Sequence, residues 1–109
     1  MQYPNIPFEF YEITARDWQR LLRDHRKTNH YHEQALRAFE RDSWKCQDES
    51  GCERLLKWRG YGYVDGKTGH PHHLHYDDLG KINEHESLVS LCDYHHWLQE
   101  FNKNTFLVR

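Results

Sequence analysis

The sequence is poor in apolar residues. They make up 37% of its 109 residues, against the ~45–50% of an average domain. No run approaches the ~18 consecutive apolar residues of a membrane span, so no membrane role is expected. The opening segment MQYPNIPFEFYE lacks a basic start and an apolar signal core. No secretion signal is read there, and a cytoplasmic protein with reduced thiols is expected. A basic excess is also missing: 15 Lys and Arg against 17 Asp and Glu leave a net charge of −2. A bulk polycation is excluded, and any contact with nucleic acid must come from local patches. Three cysteines are an odd number, so a closed set of disulfides is excluded. The length leaves no room for a barrel enzyme or a two-domain dinucleotide fold, which need roughly 200 residues or more. There is no repeat, low-complexity segment or internal linker.

What is present points to metal. Aromatic residues at 15% argue against disorder. So short a chain with so few apolar groups buries a small core, and a staple such as a metal ion would help it fold. There are ten histidines, and seven of them lie between His70 and His96, in the segment after residue 44 that also holds all three cysteines. Histidine and cysteine gathered in one segment read first as metal sites.

Residues 1–13, with Pro4 and Pro7, read as an extended aromatic strap. Thr14 is a candidate cap for a helix over about 15–27, with Asp17 three positions on. Trp18, Leu21, Leu22 and His25 fall on one face of that helix. Arg16, Arg20, Arg23 and Lys27 fall on another, either as an ordinary solvated face or as a stripe of phosphate contacts. Asn29 is expected to cap a second helix over about 30–42, with His32, Ala35, Leu36 and Phe39 as its apolar stripe. His25, His30 and His32 have no cysteine neighbours and read as packing or surface groups. Leu55, Leu56 and Trp58 predict a short helix or strand. Tyr61, Tyr63 and Val64 predict a short strand, His72 to Tyr76 another, and Leu88 to Leu91 a third. A last helix is predicted from about Asp93 to Asn102, with Phe106, Leu107 and Val108 packing back on the body. His70 and His75 read as orienting or solvent-facing groups, His85 as a loop residue and Tyr76 as packing. Residues 1–43 form the strap and helices, residues 44–109 the stapled core, together one compact domain.

Cys46-x5-Cys52 and Cys92-x2-His95 supply four soft ligands in two knuckles. A structural zinc takes four tetrahedral nitrogen or sulfur ligands, and three cysteines with one histidine is an accepted set. His96 is an alternative fourth ligand. His95 is preferred because a spacing of three places it on the Cys92 side of the helix.

The remaining residues form a set: His72-His73-Leu74, then Leu79-Gly80, then Leu88-Val89-Ser90-Leu91-Cys92-x2-His95-His96. Over about residues 44–101 this set resembles the HNH nuclease family, whose core is a strand, a loop, a second strand and a helix gripping one metal. The resemblance implies an α+β fold: a ββα-metal core with zinc knuckles, here preceded by two N-terminal helices. It implies that His72 is the first ligand of a catalytic divalent ion and that His96 completes the site. Glu100, one turn further on, stands where some members carry another ligand. His73 corresponds to the general base, and the knuckles to the structural Zn²⁺ that many members carry. The chain departs from the pattern at Ser87, where the motif has asparagine, and at His95, where a fourth zinc cysteine is usual. Asn83 is the other candidate for the asparagine's role.

The implied activity is metal-dependent hydrolysis of DNA phosphodiesters. Neutral histidine is a competent base at cellular pH. Mn²⁺, Mg²⁺ or another divalent transition ion is expected, with imidazole favouring Mn²⁺, Ni²⁺ or Co²⁺ over Mg²⁺. Arg16, Arg20, Arg23, Lys27, Arg54, Lys57, Arg59 and Lys67 are the candidate phosphate contacts. One active site cuts one strand, so a monomer is expected to nick DNA, acting beside a phage or defence partner protein. The competing expectation is an inactive zinc module that binds nucleic acid or protein. A hydrolase of another phosphoester is the third.

Overall fold

The structure, a computed structural model, describes residues 15–108 apart from residue 64, with side chains described between 16 and 100. The strap, the Thr14 cap and the side chains of Phe106, Leu107 and Val108 lie outside those residues.

Helix α1 spans Ala15–Arg26. Its periodicity works as expected. Leu22 and His25 are buried, Trp18 and Leu21 half-buried, and Arg16, Arg20 and Arg23 exposed. Helix α2 spans Asn29–Arg41. Its cap is Thr28 rather than Asn29: the Thr28 hydroxyl accepts the Tyr31 N–H at 3.1 Å, the bond that makes threonine a good helix start. Its buried face is Tyr31, Gln34, Ala35, Ala38 and Phe39. The expected stripe through His32 is therefore rotated by about one position. Tyr31, Ala35 and Ala38 share a face at helical spacing, and that face wins over the polar His32, which stays exposed with its ring 5.0 Å from Trp58.

After α2 the chain reverses through Ser43 and Trp44, both at a φ of 56°. The Trp44 ring stacks on Phe39 at 4.8 Å. Two backbone bonds, Cys46 N–H to Arg54 O at 2.9 Å and Leu56 N–H to Trp44 O at 2.8 Å, close the loop that carries Cys46 and Cys52. The segment from Leu55 to Trp58 is neither a helix nor a strand. It is extended, with one isolated bridge from Leu55 to Lys45. Leu56 and Trp58 face the core and Leu55, Lys57 and Arg59 face solvent, which is strand periodicity without a continuous partner. Tyr61 and Gly62 form a turn where a strand was expected, and Val64 lies outside the described residues.

Strand β1 is Gly69–His73 and strand β2 is Leu88–Cys92. They pair antiparallel, with Gly69 opposite Cys92 and His73 opposite Leu88. β1 thus begins three residues before the expected 72–76. Pro71 argues against a strand by sequence, but a two-stranded sheet is all edge and tolerates it. A 3-10 turn over Glu84–Ser87 leads into β2. Helix α3, Asp93–Val108, follows β2 directly and extends past the expected end at Asn102, because neither proline nor glycine interrupts residues 93–108. Among the described residues the result is an α+β arrangement of three helices and one two-stranded sheet. No helix among the described residues is long and apolar enough to cross a membrane.

The core joins α2 to the sheet: Tyr31, Ala35, Phe39, Cys46, Leu56, Trp58, Leu91 and Cys92. Two of its members are thiols, so the metal-ligand set and the core are one structure. Arg41 and Asp42 tie the end of α2 to β2. Arg41 donates to the Leu88 carbonyl and Asp42 accepts the Ser90 N–H at 3.0 Å. A Cβ at Gly69 would stand 2.8 Å from Phe39 Cε1 and 3.0 Å from Leu56 Cβ. Gly69→Ala is expected to lower stability by about 1–3 kcal/mol through overpacking, read as a lower urea midpoint; an unchanged midpoint would contradict this packing.

Candidate metal centres and the adjoining cleft

The first centre is built from both ends of the fold. Cys46 and Cys52 come from the bridged loop, Cys92 ends β2 and His95 lies in the first turn of α3. Their ligand atoms all lie within 4.8 Å of one another. His95 Nδ1 is 3.3 Å from Cys92 Sγ and 3.6 Å from Cys46 Sγ. Ligands around a tetrahedral zinc, with bonds of about 2.0–2.3 Å, stand roughly 3.5 Å apart. This group can therefore hold a metal ion such as zinc. The structure brings His95, not His96, to the thiols. Asp48 Oδ2 lies 3.4 Å from His95 Nε2, the kind of outer partner that fixes a ligand ring. Burial raises the Cys92 thiol, but the His95 backbone N–H and its imidazole, with the neighbouring thiols, bring it down to about 7. Burial pushes Cys46 up to about 11.

The second centre is open. His72 projects from β1, and His96 and Glu100 stand one turn apart on α3; the three ligand atoms again lie within 4.8 Å of one another. Glu100 Oε1 is 3.8 Å from His72 Nδ1 and 3.8 Å from His96 Nε2. All three side chains are partly exposed. Consecutive helix residues diverge by about 100°, which lets His95 serve the thiolate centre and His96 this one. Burial, then the positive charge available to His70 and His72, holds His96 down at about 4, so it is the neutral, ligating form near neutral pH. The His70 ring stacks on His96 at 4.6 Å, and His70 Nε2 is hydrogen-bonded to Asp93.

His73 is not brought to this pair of histidines. Alternate strand residues face opposite sides, and His73 turns inward, with its side chain 3% exposed. Its Nε2 lies 2.8 Å from Glu84 Oε2. Burial lowers its basicity, and the Glu84 carboxylate opposes that only in part. Glu84 is the residue the motif reading missed. It is fully buried and gathers His25, His30 and His73 around one carboxylate. Burial would raise its carboxyl, but hydrogen bonds from His25, His73 and the Gly80 N–H hold it well below the usual carboxylate range. His25 and His30 are therefore members of a polar cluster rather than packing or surface groups; His32 is the exposed one. The signal available was the spacing His25-x4-His30, within the range common for metal-binding histidine pairs.

Ser87 and Asn83 do other work. The Ser87 hydroxyl donates to Asp78 Oδ2 at 2.7 Å and its carbonyl accepts the Leu74 N–H at 2.8 Å. These bonds tie the loop after β1 to the start of β2. Asn83 Nδ2 donates to Glu86 Oε2 at 3.2 Å on the surface.

A cleft of about 210 Å³ adjoins the open centre, lined by Arg26, Tyr31, Tyr61, Lys67, His70 and His96 among others. A neighbouring groove continues from Arg26 and Tyr61 to Lys27, Arg59 and Tyr63. Arg59 lies over the Tyr63 ring, 5.7 Å from its centroid. Of the expected phosphate contacts, Lys27, Arg59 and Lys67 line this surface, together with Arg26, which the reading omitted. Arg16, Arg20, Arg23, Arg54 and Lys57 are exposed and line neither opening. Cations interleaved with tyrosine rings suit a polyanion that carries flat rings.

Comparison of the chain with family models, with curated proteins and with solved structures finds no match to any of them.

Proposed function

We propose that this chain is a divalent-metal-dependent endonuclease of the HNH type that hydrolyses DNA phosphodiesters, nicking one strand as a monomer. One observation carries the reading: His72, His96 and Glu100 present three partly exposed ligand atoms close together, and His96 and Glu100 also line a cleft that holds cations and tyrosines. The order strand, strand, helix over Gly69–Val108 and the thiolate group beside it support the same reading. An imidazole and carboxylate set fits Mn²⁺ or another divalent transition ion, with Mg²⁺ the weaker fit. The ion's charge would stabilise the phosphoryl oxygens and the leaving 3′ oxygen. Arg26, Lys27, Arg59 and Lys67 hold the DNA backbone along the cleft, and Tyr61 and Tyr63 offer ring faces to bases. Ser87 fixes the loop that follows the paired histidines. A phage or defence protein is the partner proposed to direct so small a chain to its target.

The resemblance assigns water activation to His73, whose Nε2 lies 2.8 Å from Glu84 Oε2. A second reading assigns it to His70. It is favoured by placement: His70 lines the cleft, rests on His96 and has its own carboxylate in Asp93, whereas His73 is enclosed. In either case the histidine takes the water's proton as oxygen attacks phosphorus and the bond to the 3′ oxygen breaks.

The experiment is relaxation of supercoiled plasmid by His72→Ala and His96→Ala. Both variants are expected to keep the zinc of the thiolate centre and the wild-type circular dichroism spectrum and to lose at least 100-fold in Mn²⁺-dependent nicking. Undiminished nicking by either would overturn the assignment of the open centre.

A further inference from the structure

The structure assigns a third metal centre, separate from the thiolate group and from the open cluster, to His25, His30 and Glu84. We propose that it binds a divalent transition ion, Zn²⁺ in the first instance, as a structural tie between α1, α2 and the turn that precedes β2. The inference does not depend on the nuclease reading.

Three residues from three elements converge here, and their ligand atoms all lie within 4.8 Å of one another. His25 ends α1, His30 begins α2, and Glu84 opens the 3-10 turn. His25 Nε2 stands 2.9 Å from each oxygen of Glu84, and His30 Nε2 stands 3.0 Å from Oε1. Two imidazoles and one carboxylate are a donor set that zinc accepts with water in the fourth position. The spacing His25-x4-His30 spans the short α1–α2 joint and presents both rings to one point.

The surroundings fit a ligand carboxylate. Gly80 N–H donates to Oε1 at 2.9 Å and His73 Nε2 lies 2.8 Å from Oε2. These are the outer hydrogen bonds that hold and orient a metal-bound carboxylate. An ion also needs a way in and room for a water ligand. His25 and Glu84 are closed to solvent, but the His30 side chain is 34% exposed, so entry is along its face. The tie has a purpose in this fold. Among the described residues the continuous apolar cluster draws on α2 and the sheet but on no residue of α1, whose buried Leu22 lies outside it, and the His25–Glu84 contact bridges 59 positions of sequence. One ion would fasten α1 where apolar burial is thin.

The test counts ions in the full chain. His72→Ala with His96→Ala removes the open cluster and leaves the other two groups. That chain, loaded with Zn²⁺ and passed over a chelating resin, is expected to hold two zinc ions by elemental analysis. Adding His30→Gln, at a partly exposed position, is expected to reduce the count to one. Co²⁺ titration gives a second reading without altering the site. Cobalt on thiolates shows an intense sulfur-to-metal band, whereas the His25–His30–Glu84 centre is expected to take a further equivalent with weak ligand-field bands alone. Retention of two ions after His30→Gln would overturn the proposal. So would a single equivalent of Co²⁺, carrying the sulfur band, on the chain with His30 intact.

Discussion

Stripping the metal from the Cys46, Cys52, Cys92 and His95 centre is expected to unfold the chain cooperatively. The reason is where the ligands sit. Cys46 and Cys92 are 2% and 1% exposed and pack with Phe39, Leu56, Trp58 and Leu91. The site therefore lies inside the core rather than on its rim. Apparent zinc-binding free energies for such sites are about 10–16 kcal/mol, as large as the ~5–15 kcal/mol of a whole small domain's stability. A chain with 37% apolar residues has little else to replace it. Cys92→Ala is expected to abolish the cooperative urea transition and the near-ultraviolet dichroism of Phe39, Trp44 and Trp58. Cys52→Ala, at a half-buried position, is expected to lower the transition midpoint and leave the transition intact. A Cys92→Ala chain that unfolds at the wild-type midpoint would contradict the metal-stapled core.

The second large effect is expected at the histidine that activates water. A positioned general base contributes about 10²–10⁴ in rate. Glutamine at His73 keeps an N–H for Glu84 and cannot act as the base; the same change at His70 keeps a donor for Asp93. If His73 is the base, His73→Gln lowers kcat by about 10²–10⁴ and His70→Gln leaves it within a few-fold. If His70 is the base, the two effects exchange. In both cases the affinity for Mn²⁺ and the count of tightly bound zinc are expected to stay at wild-type values, which separates loss of the base from loss of a ligand. Wild-type kcat in both variants would remove histidine base catalysis from the account.

The sequence carried the metal centres further than it carried the strands. Cys92-x2-His95 at the start of a helix is a local geometry, and so is the i, i+4 pair His96 and Glu100; neither needs distant information. The expected assignment of His95 to the thiols follows from helix rotation, and that of His96 to the open centre from the resemblance. Leu88 to Leu91 is apolar and short, and it is a strand. By contrast, Gly69 to Pro71 carries no strand propensity. It is a strand because β2 offers it a partner and because only glycine fits against Phe39 and Leu56 at position 69. The Glu84 cluster was hidden for the same reason. His25 and Glu84 are 59 positions apart, and helical periodicity read His25 as one more residue of a buried stripe. It is buried, but against a carboxylate. The resemblance puts His72 and His73 in one site, although strand alternation argues against it, and β1 does send them to opposite faces.

The most direct measurement is conversion of supercoiled plasmid to open circles by the wild-type, zinc-loaded chain in Mn²⁺, in Mg²⁺ and in EDTA. The account predicts open circles in Mn²⁺, slower nicking in Mg²⁺ and none in EDTA, with linear product appearing only after open circles accumulate. A folded, zinc-loaded chain that leaves the plasmid supercoiled with every divalent ion tested would contradict the nuclease and leave a zinc module that binds without cutting.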